Sequence, residues 1–371
     1  MVTTLSNPLI FLIISGAAFL LMLITTPSII QIASYHRLYN FNLRKKHPDL
    51  KVSRLAGIAV LVALMLPLFI TLQSDFLKSL NFFMGSCLIL FFAGLKDDLL
   101  SLHPLSKFAV LLIAALITIV FGDIKITSLQ GFFNIYTLPE PLSILLTVIV
   151  ILFIVNAFSL LDVVYGLVGL TGLSVNGTLG ILFIHINQPV LALIAFSIAG
   201  SCLGFLQFNL VLKKIFLGEG GCLLLGFVSS VLCIEFLKLN DQFVSETLMF
   251  SPAVVVAVLI FPIYNALRLF AVAKLNAIFK LNINTASIAH QLSSLGLSYG
   301  RTAIVLSSFN ILAVILVVSS GQLNGRLMCG ILLLLCIICD CVISYAAEIK
   351  WERSVDEKKR KLQVIYRRFM F

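Results

Sequence analysis

Apolar residues run along this chain in stretches of about twenty, separated by short polar segments. A bilayer core takes about 20 helical residues. The stretches 8–33, 55–73, 79–95, 105–121, 139–158, 164–186, 189–207, 221–238, 247–270, 302–320 and 326–346 therefore predict about eleven transmembrane helices. The first lacks a basic leader and is long enough to span, so it reads as a membrane helix rather than a cleavable signal. Between the fourth and fifth stretches, Asp123 to Leu138 alternates apolar residues around Gln130-Gly131, which predicts a small interfacial hairpin. The fold class expected is an all-α polytopic membrane protein, with a transmembrane domain over 1–346 and a basic cytoplasmic tail over 347–371.

Composition points the same way. Of the 371 residues, 60% are hydrophobic and 11% charged; a soluble domain carries about 25% charged residues. The net charge of +10 could suggest nucleic acid, but the basic residues sit in short loops between apolar segments. With the N-terminus outside, the inner loops and tail hold 22 of the 26 Lys and Arg, and only Lys78, Lys125, Lys238 and Arg326 fall outside. That asymmetry places the C-terminus in the cytoplasm and makes a membrane, not nucleic acid, the expected partner. The eight cysteines lie in or beside apolar segments, which argues for packing rather than a disulfide framework.

The acids are clustered. Asp97-Asp98 follow the third stretch, Asp162 follows the fifth, and Glu219 precedes the eighth within Gly218-Glu219-Gly220-Gly221. The expected topology brings these acids, with His47 and His290, to one membrane face. Adjacent carboxylates beside lipid are costly unless a cation neutralises them. Hard oxygen donors near glycine turns suit Mg²⁺, with Mn²⁺ as the alternative, and Lys45, Lys46, Arg54, Lys107, Lys214 and Arg268 suit anionic phosphates. Asp340, inside the last span with no basic residue near it in sequence, reads equally as a helix-packing or a functional group.

Several segments carry a resemblance. Gly94-Leu-Lys-Asp97-Asp98 with Pro104 and Lys107 is similar to the aspartate-pair motif of the polyprenyl-phosphate N-acetylhexosamine-1-phosphate transferases. Gly204-Phe-Leu-Gln-Phe-Asn209 and Lys214-Ile-Phe-Leu-Gly218-Glu219 resemble a second motif of that family, and Leu224-Leu225-Gly226 continues it. Arg44-Lys45-Lys46-His47 with Ser53-Arg54-Leu-Ala-Gly57 resembles its first inner loop, and Pro262 with Arg268 its ninth-span motif. The departures are specific. The family's NxxNxxDGxDGL reads Asn156, Ser159, Asp162, Val163, Tyr165, Gly166, Leu167; Glu219 stands for an aspartate, Cys222 for a serine, and Asn265 for an aspartate. The histidine motif reads Ser287-Ile288-Ala289-His290.

The resemblance implies transfer of a sugar-1-phosphate, N-acetylhexosamine-1-phosphate by analogy, from a UDP-sugar to a polyprenyl phosphate lipid. UMP would be released at the cytoplasmic face of the plasma membrane, in cell-envelope glycan synthesis. It implies Glu219 and Asp97 as metal ligands, Asp98 as base, and Asp162 and Asn156 in the nucleotide pocket. Arg54, Lys107, Asn209, Lys214 and His290 would bind substrate, and residues 268–301 would set sugar preference. The departures leave a second class open, a catalytically silent homologue acting as a membrane scaffold. A transporter would place its ionisable residues at mid-span, whereas these acids lie at span ends.

Overall fold

Lipid offers backbone N–H and C=O groups no partner, so an apolar segment crossing it must satisfy them within itself, as a helix. The computed structural model describes residues 8–36, 53–71, 77–129, 136–242, 251–279, 288–320 and 325–369. All eleven predicted stretches are helical within those residues. They are α1 (Pro8–Tyr35), α2 (Gly57–Thr71), α3 (Leu77–Leu100), α4 (Pro104–Leu116), α5 (Glu140–Ser159), α6 (Leu167–His185), α7 (Pro189–Leu206), α8 (Gly218–Gln242), the pair α9 (Ser251–Val258) and α10 (Ile260–Phe279), then, beyond a short α11 (Ile288–Ser294), α12 (Tyr299–Ser319) and α13 (Gly325–Phe369). Among the described residues the only bridge of strand type pairs Ser53 with Ile215 in parallel.

Among the described residues eight of these helices are long and apolar enough to cross a membrane, α4 counted with the π-helical turn Ile117–Phe121 that continues it, and the α9–α10 pair, bent by 73°, makes a ninth. The other two expected spans, α2 and α3, fall outside that set. α2 is 15 residues long, and α3 carries Lys78, Lys96, Asp97 and Asp98 within its 24 residues. Local sequence sets several ends. Pro104 sits in the first turn of α4, where its missing N–H costs nothing, and His103 caps it, Nδ1 accepting from Leu105 N–H. The expected hairpin appears as two irregular legs tied by Leu138 N–H to the Thr127 carbonyl at 3.0 Å; residues 130–135 lie outside the described part.

α8 is the hub, packing against α2, α3, α5, α6, α7 and α9. Neighbouring helices run in opposite directions. The last turns of α3, α5 and α7 therefore meet the first turns of α4, α6 and α8 on one face. On the far side the break in the ninth span is secured from α12: Phe261 N–H donates to Asn310 Oδ1 at 3.0 Å. Further along α10, Arg268 Nε donates to Asp340 Oδ2 at 2.8 Å and Tyr264 Oη to the same oxygen at 3.1 Å. Asp340, isolated from cations in the sequence, thus has one in space, and its expected helix-packing role is the one the contacts describe.

Candidate active site

The segment 215–221 organises the site. Its first residues are fastened to the end of the first inner loop: Phe216 N–H donates to the Ser53 carbonyl at 2.8 Å and Gly57 N–H to the Leu217 carbonyl at 3.0 Å. This pairing brings Arg54 alongside. Gly218 then turns the chain with φ +80°, a conformation that favours glycine, and a Cβ there would overlap the Arg54 carbonyl and crowd the Asp98 carboxylate. Past the turn, Gly220 lies against the backbone of Gly94 on α3, and Gly221 against Gly57 on α2. Three backbones meet where no side chain fits.

Four carboxyl groups converge on this turn. Asp162, just after α5, is buried; its Oδ2 accepts from Gly218 N–H at 2.9 Å and its Oδ1 from Leu217 N–H at 3.3 Å. Burial pushes its pKa up to about 7, against the opposing pull of Arg54 and the two amides. Asp98, in the polar last turn of α3, accepts from Gly220 N–H through Oδ2 at 3.2 Å. Its Oδ1 stands 3.9 Å from Arg54 Nη1, with the side chain only 3% exposed. Burial raises Asp98 to about 6, with backbone amides of Glu219 and Gly220 and the Arg54 charge working the other way. Asp98 Oδ1 and Arg54 Nε are both buried without a hydrogen-bond partner. Such atoms are rare in native proteins and mark a place for a water, ion or ligand.

Asp97 and Glu219 share one cation. Lys107, from the first turn of α4, ion-pairs with Glu219 Oε1 and lies 3.8 Å from Asp97 Oδ2. Asp97 Oδ1 accepts from Leu102 N–H at 2.6 Å, which curls the chain between α3 and α4. Ser159, the last residue of α5, donates its hydroxyl to Glu219 Oε1 at 2.8 Å. The sequence reading placed Ser159 only as a departure from the family pattern; its place one turn before Asp162 was the available signal. Among the described residues no three His, Cys, Asp or Glu side chains form a metal cage. Lys107 nevertheless brings one oxygen of Glu219 and one of Asp97 to the same ammonium, and carboxylate oxygens are the protein donors that Mg²⁺ takes beside water and substrate phosphates.

Other expected site residues are placed differently. Asn209, in the π-turn after α7, is buried. Its Oδ1 accepts from Gly166 N–H at 2.6 Å and its Nδ2 donates to the Ile215 carbonyl at 2.7 Å, so it ties the α5–α6 loop to the organising segment. Asn156 is exposed and bonds the Leu152 carbonyl of its own helix at 2.7 Å. Lys214 is exposed beside the strained Lys213, φ +53°. His290 falls on α11, its side chain outside the described part, and Arg44 to His47 lie outside the described residues altogether.

Residues 80–237 match the family described as Glycosyl transferase family 4; that stretch contains Asp97, Asp98, Lys107, Asn156, Ser159, Asp162, Asn209, Lys214 and Glu219, and leaves out Arg54, His290 and the segment 44–47. The chain is similar to the decaprenyl-phosphate N-acetylglucosaminephosphotransferase of Mycobacterium leprae, 35% identical over 36% of each chain. It is similar to the probable undecaprenyl-phosphate N-acetylglucosaminyl 1-phosphate transferase of Bacillus subtilis, 28% identical over 77% of this chain and 78% of that one. With the undecaprenyl-phosphate alpha-N-acetylglucosaminyl 1-phosphate transferase of Escherichia coli K12 it shares 23% identity over 52% of this chain. The match thus spans about a third of the mycobacterial protein's length and about half of the Escherichia coli one's.

Proposed function

We propose, for a chain whose residues 80–237 match glycosyl transferase family 4, that it moves an N-acetylhexosamine-1-phosphate from a UDP-sugar to a polyprenyl phosphate and releases UMP. The site would face the cytoplasm at the inner membrane, the N-terminus lying outside. The observation that carries this reading is the convergence of Asp97, Asp98, Asp162 and Glu219, from three segments, on one glycine turn beside Arg54 and Lys107.

The chemistry needed is modest in kind. Two phosphate-bearing anions must approach each other, and most of the task is neutralising charge and fixing geometry. Asp98 Oδ1, buried without a hydrogen-bond partner, would take the proton from an attacking lipid phosphate. Arg54, whose Nε is equally partnerless, is placed to hold that phosphate. Asp97 and Glu219 would hold Mg²⁺, which supplies charge neutralisation on the transferring phosphates when bound. Asp162 and Asn209 act behind them, keeping the turn at 217–220 and the loop at 166 in place. No observation favours the silent scaffold. Purified chain incubated with polyprenyl phosphate, Mg²⁺ and a panel of UDP-N-acetylhexosamines is expected to release UMP with at least one donor; no release with any of them refutes the assignment.

A further inference from the structure

The lysine at the centre of the site does more than hold a substrate phosphate. Lys107 sits between Asp97 and Glu219, two carboxylates from segments far apart in the chain that would repel each other at this distance without a cation between them. The three side chains are each partly open to water, 24%, 21% and 13% exposed for Lys107, Asp97 and Glu219, so the arrangement can exchange partners. Glu219 is additionally held by Ser159, which leaves it in place if the ammonium departs. Two carboxylates and one ammonium sum to a single negative charge. A divalent cation entering that point alone would press against the ammonium at contact distance. An anionic diphosphate arriving with it gives the lysine, a point charge on a long flexible stem, somewhere else to go.

Building on the transferase reading, we propose that Lys107 is the site's built-in counter-ion and couples metal loading to nucleotide loading. In the resting protein it occupies the cation position; on loading it transfers from the carboxylates to the nucleotide phosphates, so the bare site takes a divalent cation weakly and the nucleotide-loaded site takes it tightly. The coupling is a property of binding and shows without turnover.

The test is Mn²⁺ binding to the full chain in detergent, followed by electron paramagnetic resonance, with and without saturating UDP. UDP is expected to tighten Mn²⁺ binding to the unaltered protein about tenfold or more. Lys107→Gln is expected to bind Mn²⁺ about tenfold more tightly without nucleotide, with most of the UDP effect gone. Lys107→Arg, which keeps the charge, retains the original pattern, and adding Glu219→Gln to Lys107→Gln removes the tight binding and so locates it. Lys107→Met repeats the test should the glutamine variant not fold. Lys107 variants that bind Mn²⁺ no more tightly than the unaltered protein, while UDP still tightens that protein, overturn the counter-ion role and leave the transferase reading standing. Absence of Mn²⁺ binding in every protein, with UDP present, overturns the metal assignment and this proposal together.

Discussion

Two groups of buried charge in this molecule contain a carboxylate oxygen with no hydrogen-bond partner, Asp98 Oδ1 and Asp340 Oδ1, yet they are built on opposite principles. Around Asp340 one acid meets one cation, with Tyr264 adding a hydroxyl to the same oxygen. Both groups come from the interiors of helices, and the charges balance where they stand. Around Asp98, four carboxyl groups face two cations, Arg54 and Lys107. All are delivered by helix ends and connecting turns. A balanced pair between two helices is a clasp. An acid surplus at the mouth of the bundle is a site that needs something positive from outside.

The sharpest break between the two is chemical. Asp98→Asn is expected to lower UMP release about a thousandfold, within the range attributed to a positioned base. Asp340→Asn should leave turnover per folded molecule nearly unchanged; equal losses for both would erase the distinction. Stability should sort the other way. Arg268→Ala strands a buried carboxylate and is expected to cost about 3–5 kcal/mol, read as a lower melting temperature in detergent. Replacing Arg268 and Asp340 together by leucine should recover most of that loss. Within the site, Ser159→Ala removes one hydrogen bond to Glu219, worth about 1 kcal/mol. It should show as a higher Mg²⁺ requirement in the UMP assay with maximal rate little altered. At the far face, Lys125 links Asp123 and Glu140 in water, and Glu140→Gln should shift the melting temperature least, by the equivalent of under about 1 kcal/mol.

Much of this was legible in the chain because the bilayer imposes a simple length rule on apolar runs, and all eleven runs are helices. The rule is blind to what breaks a span. The bend at Leu259 depends on Asn310, fifty residues on, accepting the N–H of Phe261, and no local pattern announces that. The acids were legible as a set because loops on one face repeat with every second helix. Their individual tasks were not. Asp162 and Asn209 read as substrate contacts, yet their polar atoms take up the backbone at 166 and 215–218, a role set by folded geometry. Asp340 looked unpaired for the same reason, its cation lying 72 positions away. The basic tail read as a separate polar segment; its residues continue α13 as one helix of 45 residues to Phe369.

The glycine contacts of Gly57 and Gly94 with Gly221 and Gly220 decide which side of the carboxylate cluster can give way. Three helices welded backbone to backbone make an anvil: the side of the site that they form has no slack to open. Any accommodation must come from segments outside that junction. Laboratory selection for an altered sugar preference should therefore collect its changes there and leave the three-helix junction untouched.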